Sequence, residues 1–310
     1  MKNANVYIAG HYRNGELLTN SKVIACYWKN NTKIDLATID SSAQSIYVCG
    51  SDVYAAGFCW KDPKRNECCA CYWKNGIKTD LSTDKSYANS VFVSGSDTYV
   101  VGYYKKGNID IACYWKNGIR IDLEQIDSVA NSIYIVGPDI YITGTLLNGH
   151  SDTACYWKNG ERISFSTHPS YAKSIFVEGK DVYASGFYCN GIKNIACYWK
   201  NGIRVDMPEN SSYGESIFVS GSDVYLAGYY DNGDTSTYNI ACYWKNGVKT
   251  DLTTEESIAT SIYIEGSDVY ITGVLFYGYA GKTVCYWKNG VRTDVASNIG
   301  GYSKSIFVTD

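Results

Sequence analysis

Twelve cysteines and three histidines are the residues of this chain best suited to metal binding or nucleophilic chemistry. Cys59, Cys68, Cys69 and Cys71 crowd one stretch, but a four-thiolate zinc site needs converging Cys-x2-4-Cys pairs and that spacing is missing. Unpaired thiols are the expectation there, with a cross-hairpin disulfide as the alternative. Seven cysteines, Cys26, Cys71, Cys113, Cys155, Cys197, Cys242 and Cys285 (Cys71 belonging to both groups), recur at one position of a repeat and read as buried free thiols. His11, His150 and His168 fall in different repeats, and spacing places no nucleophile with a matching acid beside any of them. Asp231-Asn232-Gly233-Asp234 lacks the spaced oxygens and closing Glu of an EF-hand loop and reads as a polar turn. No catalytic residue, metal or cofactor is therefore expected.

A second polar pattern is regular. A Cys-Tyr-Trp-Lys-Asn block recurs with its indole at Trp28, Trp73, Trp115, Trp157, Trp199, Trp244 and Trp287. Five residues after each Trp stands Lys or Arg (Lys33, Lys78, Arg120, Arg162, Arg204, Lys249, Arg292), and two further on an Asp, with Ser164 the one exception. In a tight hairpin Trp73 faces Lys78 and Cys71 faces Asp80, so a cation over the indole, pinned by the carboxylate, is expected as a device between neighbouring units.

These positions imply the elements that carry them. The period of 42 to 45 residues gives seven units, each with four short apolar runs; in the second unit they are 45–48, 53–58, 70–74 and 77–81. Asn-Gly (Asn-Asn in the first unit) joins the last two runs, both residues accepting positive φ, and Gly-Ser-Asp or a close variant joins the first two. Each unit, with strands a to d, is thus a four-stranded antiparallel meander. The first unit lacks strand a and opens at Val6, while Ser305 to Val308 form an orphan strand a at the other end. Residues 1–310 therefore read as an all-β, seven-bladed β-propeller in one domain, closed by the C-terminal strand joining the N-terminal three. An open β-solenoid is the alternative. Strand a carries Tyr or Phe at its third position, which makes the ring a packing group; strand b carries Tyr in all seven copies, which predicts a phenol hydrogen bond in the blade interface.

Composition limits the function. The net charge is −3, with 28 Lys and Arg against 31 Asp and Glu, so no nucleic-acid partner is expected. No apolar run is long enough for a membrane span. Residues 1–10 hold no apolar signal core, so an export signal is expected to be absent or removed. A monomer is expected. Length variation concentrates between strands b and c, where the count from Gly to Cys runs from 10 to 15. That makes the b–c face the binding candidate, with Arg13, Trp60, Lys64, Arg65, Asp231 and Tyr277 as ligand-binding residues and Glu16, Lys61, Asp234 and Tyr279 nearby.

Two repeated stretches, Ser-Ile-Tyr-Val-x-Gly-Ser-Asp-Val-Tyr-x-Ala-Gly-Tyr-Tyr and Ala-Cys-Tyr-Trp-Lys-Asn-Gly, cover essentially the whole chain. They resemble the repeats of bacterial propeller proteins with a Tyr-Trp-Lys-Asn-Gly signature, and the first resembles SBBP and NHL-type repeats. The resemblance implies a propeller and a location outside the cytoplasm or at the cell surface; it supplies no catalytic residue. Function is read as a non-enzymatic binding module for protein or glycan. The alternatives are an enzyme with its site at the channel mouth and a purely structural propeller.

Overall fold

A computed structural model describes residues 4–14, 21–62, 64–149, 151–165, 169–207, 210–234, 237–278, 281–297 and 300–310. Glu16, His150, His168 and Tyr279 lie outside them, as does the side chain of Asp234. Among the described residues twenty-eight strands form seven four-stranded antiparallel sheets. The second blade shows the pattern: β4 (Ser41–Cys49), β5 (Asp52–Trp60), β6 (Cys68–Lys74) and β7 (Ile77–Asp80), in strand order a to d. The first blade joins β1 (Asn5–Asn14), β2 (Lys22–Lys29) and β3 (Thr32–Asp35) to the last strand of the chain, β28 (Tyr302–Thr309). Tyr7 pairs with Phe307 and Val6 with Val308, so the ring closes where the sequence places its closure. No helix among the described residues is long and apolar enough to cross a membrane.

The Tyr-Trp-Lys-Asn-Gly signature is a structural lock. Asn75 and Gly76 take φ of 51° and 81°, and the Asn75 side chain accepts the N–H of Val53 while donating to Asp52 of the a–b turn at 2.7 Å. Lys74 reaches the same carboxylate at 2.8 Å. The two turns on one face of the blade are thus tied together, and equivalent Asp–Lys–Asn clusters recur in the third to seventh blades.

The repeat Trp residues are at most 1% exposed. In the second to seventh blades the strand-b phenol bonds the Asp two residues earlier, as Tyr54 does Asp52 at 3.4 Å, while the ring packs into the next blade's core. The predicted interface bond is therefore corrected: the ring serves the interface and the hydroxyl the turn.

The cation over the indole is also corrected. Lys33, Arg120, Arg204 and Lys249 lie 3.4 to 3.7 Å from the ring centres of Tyr12, Tyr104, Tyr188 and Tyr230 on strand b. Each of these phenols donates to the strand-d Asp. The indoles turn into the core, which leaves the cation a neighbouring phenol face. The flanking ion pairs form as expected, Lys78–Asp80 at 2.9 Å among them.

Strand a is longer than the sequence suggests. In the second blade it begins at Ser41 rather than Ser45, because Ser41 Oγ accepts the Ala25 N–H of the preceding blade and donates to the Ile39 carbonyl. In the sixth blade the extra b–c length is likewise strand: β21 (Asp223–Asp234) and β22 (Thr237–Lys245) pair out to Asp234 and Thr237, whereas in the second blade it is a loop between Trp60 and Cys68.

Candidate ligand-binding site

Every strand a carries a β-bulge. In the second blade the register slips between Ala43 and Ser45, leaving Gln44 unpaired, and the same slip leaves Asn89, Asn131, Lys173, Glu215, Thr260 and Lys304 unpaired in the others. A bulge re-aims its extra side chain, and because strand a is innermost these seven point to the ring axis. The strand-b glycine permits this. A Cβ on Gly102 would lie 1.8 Å from the Tyr87 carbonyl and one on Gly57 1.9 Å from that of Ser42, so only glycine lets the bulged strand lie so close.

The bulge residues and the serines that follow them enclose an axial cavity of about 300 Å³. Ser45, Ser132, Ser216, Ser261 and Ser305 each accept a backbone N–H from the next blade, at 3.2 to 3.4 Å, which leaves the hydroxyl hydrogen free to donate inward. Asn89 and Asn131 donate to the next blade's Ala130 and Ala172 carbonyls, which leaves the amide oxygens to accept.

Two residues beyond each serine stands the strand-a aromatic. Tyr47, Phe92, Tyr134, Phe176, Phe218, Tyr263 and Phe307 contact one another in an unbroken circle with centroids 4.6 to 5.4 Å apart. This collar constricts the channel toward the a–b turns, so the cavity lies on the b–c side.

The charges are asymmetric. Lys173 and Glu215 pair across adjacent blades at 3.8 Å. Lys304 is half-buried; desolvation holds its ammonium below the usual lysine range, Glu215 opposes this, and Lys173 and Lys282 add to it. At the mouth His11 is kept neutral, its pKa lowered to about 3 by burial and then by the positive charges of Lys304, Lys282, Arg13 and Arg65. His11 Nδ1 meets Ser42 Oγ at 2.8 Å, and Gln44 Nε2 donates to the same oxygen. This pair matches a serine–base dyad in distance alone, since Ser42 is 2% exposed and no carboxylate bonds His11 among the described residues.

The sequence-predicted residues divide. Arg13 and Arg65 share the electrostatic field around His11, and Arg65 is anchored by Asp40 at 2.6 Å and lies 5.3 Å from the Trp60 ring. Trp60 packs edge-on against Phe58. Lys64 is exposed. Asp231 caps its own turn by accepting the Gly233 N–H. Tyr277 belongs to the outer edge of the seventh blade, where burial and then Glu255 raise its phenol's pKa. Sequence reasoning missed the bulge residues, although they vary between a nearly constant Ala and a constant Ser.

Two other cavities differ in kind. In the second blade Cys59 and Cys69 occupy positions held by larger Tyr12 and Ile24 in the first, and about 380 Å³ opens beside Lys78 and Asp80. All twelve cysteines are free thiols, with Cys59 and Cys71 sulfurs 3.6 Å apart. A cavity of about 550 Å³ on the opposite face is lined by repeat residues such as Tyr7, Lys29 and Asn75. Asn5, where the other six blades carry Asp, and Asp310 also line it.

No family model matches the chain, and no curated protein matches it by sequence. Among solved structures it resembles the β-propeller domain of the Trilobed protease from Pyrococcus furiosus, with TM-score 0.57 and 10% identity over 96% of this chain and 95% of that one. That propeller is described as having an open velcro topology, whereas β28 pairs with β1 here. TolB from Acinetobacter baumannii matches with TM-score 0.49 and 10% identity, over 82% of this chain and 65% of that one. The expected kinship with SBBP and NHL-type proteins thus reduces to the fold: this chain is a seven-bladed β-propeller distantly similar to the protease propeller.

Proposed function

We propose that the chain is a non-enzymatic binding module that takes its ligand into the axial cavity from the b–c face. One observation carries the reading. The bulge position, Gln44, Asn89, Asn131, Lys173, Glu215, Thr260 and Lys304, changes chemistry from blade to blade while its neighbours scarcely vary, and all seven side chains line one cavity. A scaffold position would repeat, as the Trp and the turn Asp do. Arg13 and Arg65 form part of a cationic mouth, and Trp60 is a rim contact beside Arg65.

The test is a thermal-shift screen of sugars, organic acids and peptides against the native protein and a Lys173→Met, Glu215→Gln, Lys304→Met variant. Ligands that raise the melting temperature of the native protein and leave the variant unmoved support the cavity. Ligands that shift both equally would place binding elsewhere.

A further inference from the structure

Resting on the axial cavity as the ligand seat, we propose that its ligand is a carboxylate-bearing sugar unit, a hexuronic acid either free or at the end of a glycan chain. The carboxylate is held at Lys304 and the hydroxyls by the serine and amide walls.

The argument begins with charge. Lys173 and Glu215 offset one another, which leaves Lys304 as the surplus cation of the cavity. Among the described residues Lys304 makes no ion pair, and its ammonium lies 5.4 Å from the centre of the Tyr302 ring. A half-buried ammonium whose facing carboxylate, Glu215, is shared with Lys173 is poorly compensated, and a bound carboxylate improves that balance. Arg13 and Lys282 around His11 extend the positive field to the mouth, where it draws an anion inward. One free cation suits one negative charge. A fully ionised phosphate calls for a second, and Lys173 is already engaged.

Size and walls narrow the class. A cavity of about 300 Å³ is at the small end for ligand sites and suits one sugar ring. Its walls are neither apolar nor uniformly charged. They alternate inward hydroxyl donors with the Asn89 and Asn131 amide oxygens, each held by its second hydrogen bond to the neighbouring blade. Such fixed, mixed donors and acceptors match the ring of hydroxyls on a sugar, and holding them in advance lowers the ordering cost of binding.

The experiment is isothermal titration with saturation-transfer NMR, using D-glucuronate, D-galacturonate, neutral D-glucose and trigalacturonate. The uronates should bind the native protein at least about tenfold more tightly than glucose. Lys304→Met should weaken them about tenfold or more, and Glu215→Gln, which frees Lys173, should tighten them severalfold. That gain cannot come from misfolding. Trigalacturonate binding more tightly than galacturonate assigns the end of a glycan, and equal or weaker binding assigns the free acid. The proposal is overturned if neither uronate binds at about 10 mM, or if Lys304→Met binds as the native protein does. Neutral sugars that bind while uronates do not, and that are lost in an Asn89→Leu, Asn131→Leu variant, would remove the acid and keep the cavity. Ligands indifferent to every bulge substitution would remove the cavity itself.

Discussion

His11 is a neutral imidazole in a positive field, and the consequence is measurable. Its folded pKa, about 3, is far below the ordinary 6.5, so the unfolded chain binds the proton first as pH falls. The stability contributed by neutral His11 is complete above pH 6.5 and is lost progressively as pH drops toward 3. Between pH 7 and pH 5 the loss should be about 1–2 kcal/mol in urea unfolding, and it should shrink in a His11→Gln variant. An unchanged pH dependence in that variant would mean that His11 titrates in water. Recurrent residues were the easiest to read, because seven copies in one chain expose the Trp, the turn Asp and the Asn-Gly pair. Their partners were harder. Register correctly put Lys78 opposite Trp73, but register does not say which way an indole turns, and the cations chose the phenols of strand b instead.

At the scale of the element the bulge is decisive, and the sequence concealed it. A bulge breaks the period of two, so reading strand a from Ser45 left Gln44 and its equivalents in the d–a connection. The trace that could have found it is the strand-b glycine, constant at Gly10, Gly57, Gly102, Gly144, Gly186, Gly228 and Gly273 with no turn to require it. A glycine fixed inside a strand signals close approach of another backbone. Gly102→Ala, whose Cβ would meet the Tyr87 carbonyl at 1.8 Å, should cost about 3 kcal/mol or more in denaturant unfolding. By contrast, a substitution costing under about 1 kcal/mol would show that the bulged backbone yields.

The whole molecule depends on closure. The seven units, the meander and the C-terminal strand were legible because repeat length and strand count alone admit few architectures, and β28 completes the first blade as the chain ends implied. Deleting residues 303–310 removes Ile306 and Val308, both buried, and bares the edge of β1. Thermal unfolding should then drop by about 5 kcal/mol or more in stability, with aggregation on heating; unaltered cooperative melting would refute the closure. The cavity belongs to this scale too, since every blade gives it one bulge side chain.

The most direct measurement compares two variants for any ligand the native protein binds. One carries Asn at all seven bulge positions with the strands and hairpins untouched; the other has its 58–70 hairpin, which holds Trp60, Lys64 and Arg65, shortened to the ten-residue form of the third blade. If the axis is the ligand seat, the first variant loses affinity about a hundredfold or more while the second loses about tenfold or less. Full affinity in the all-Asn ring, with binding abolished by the shortened hairpin, would contradict it.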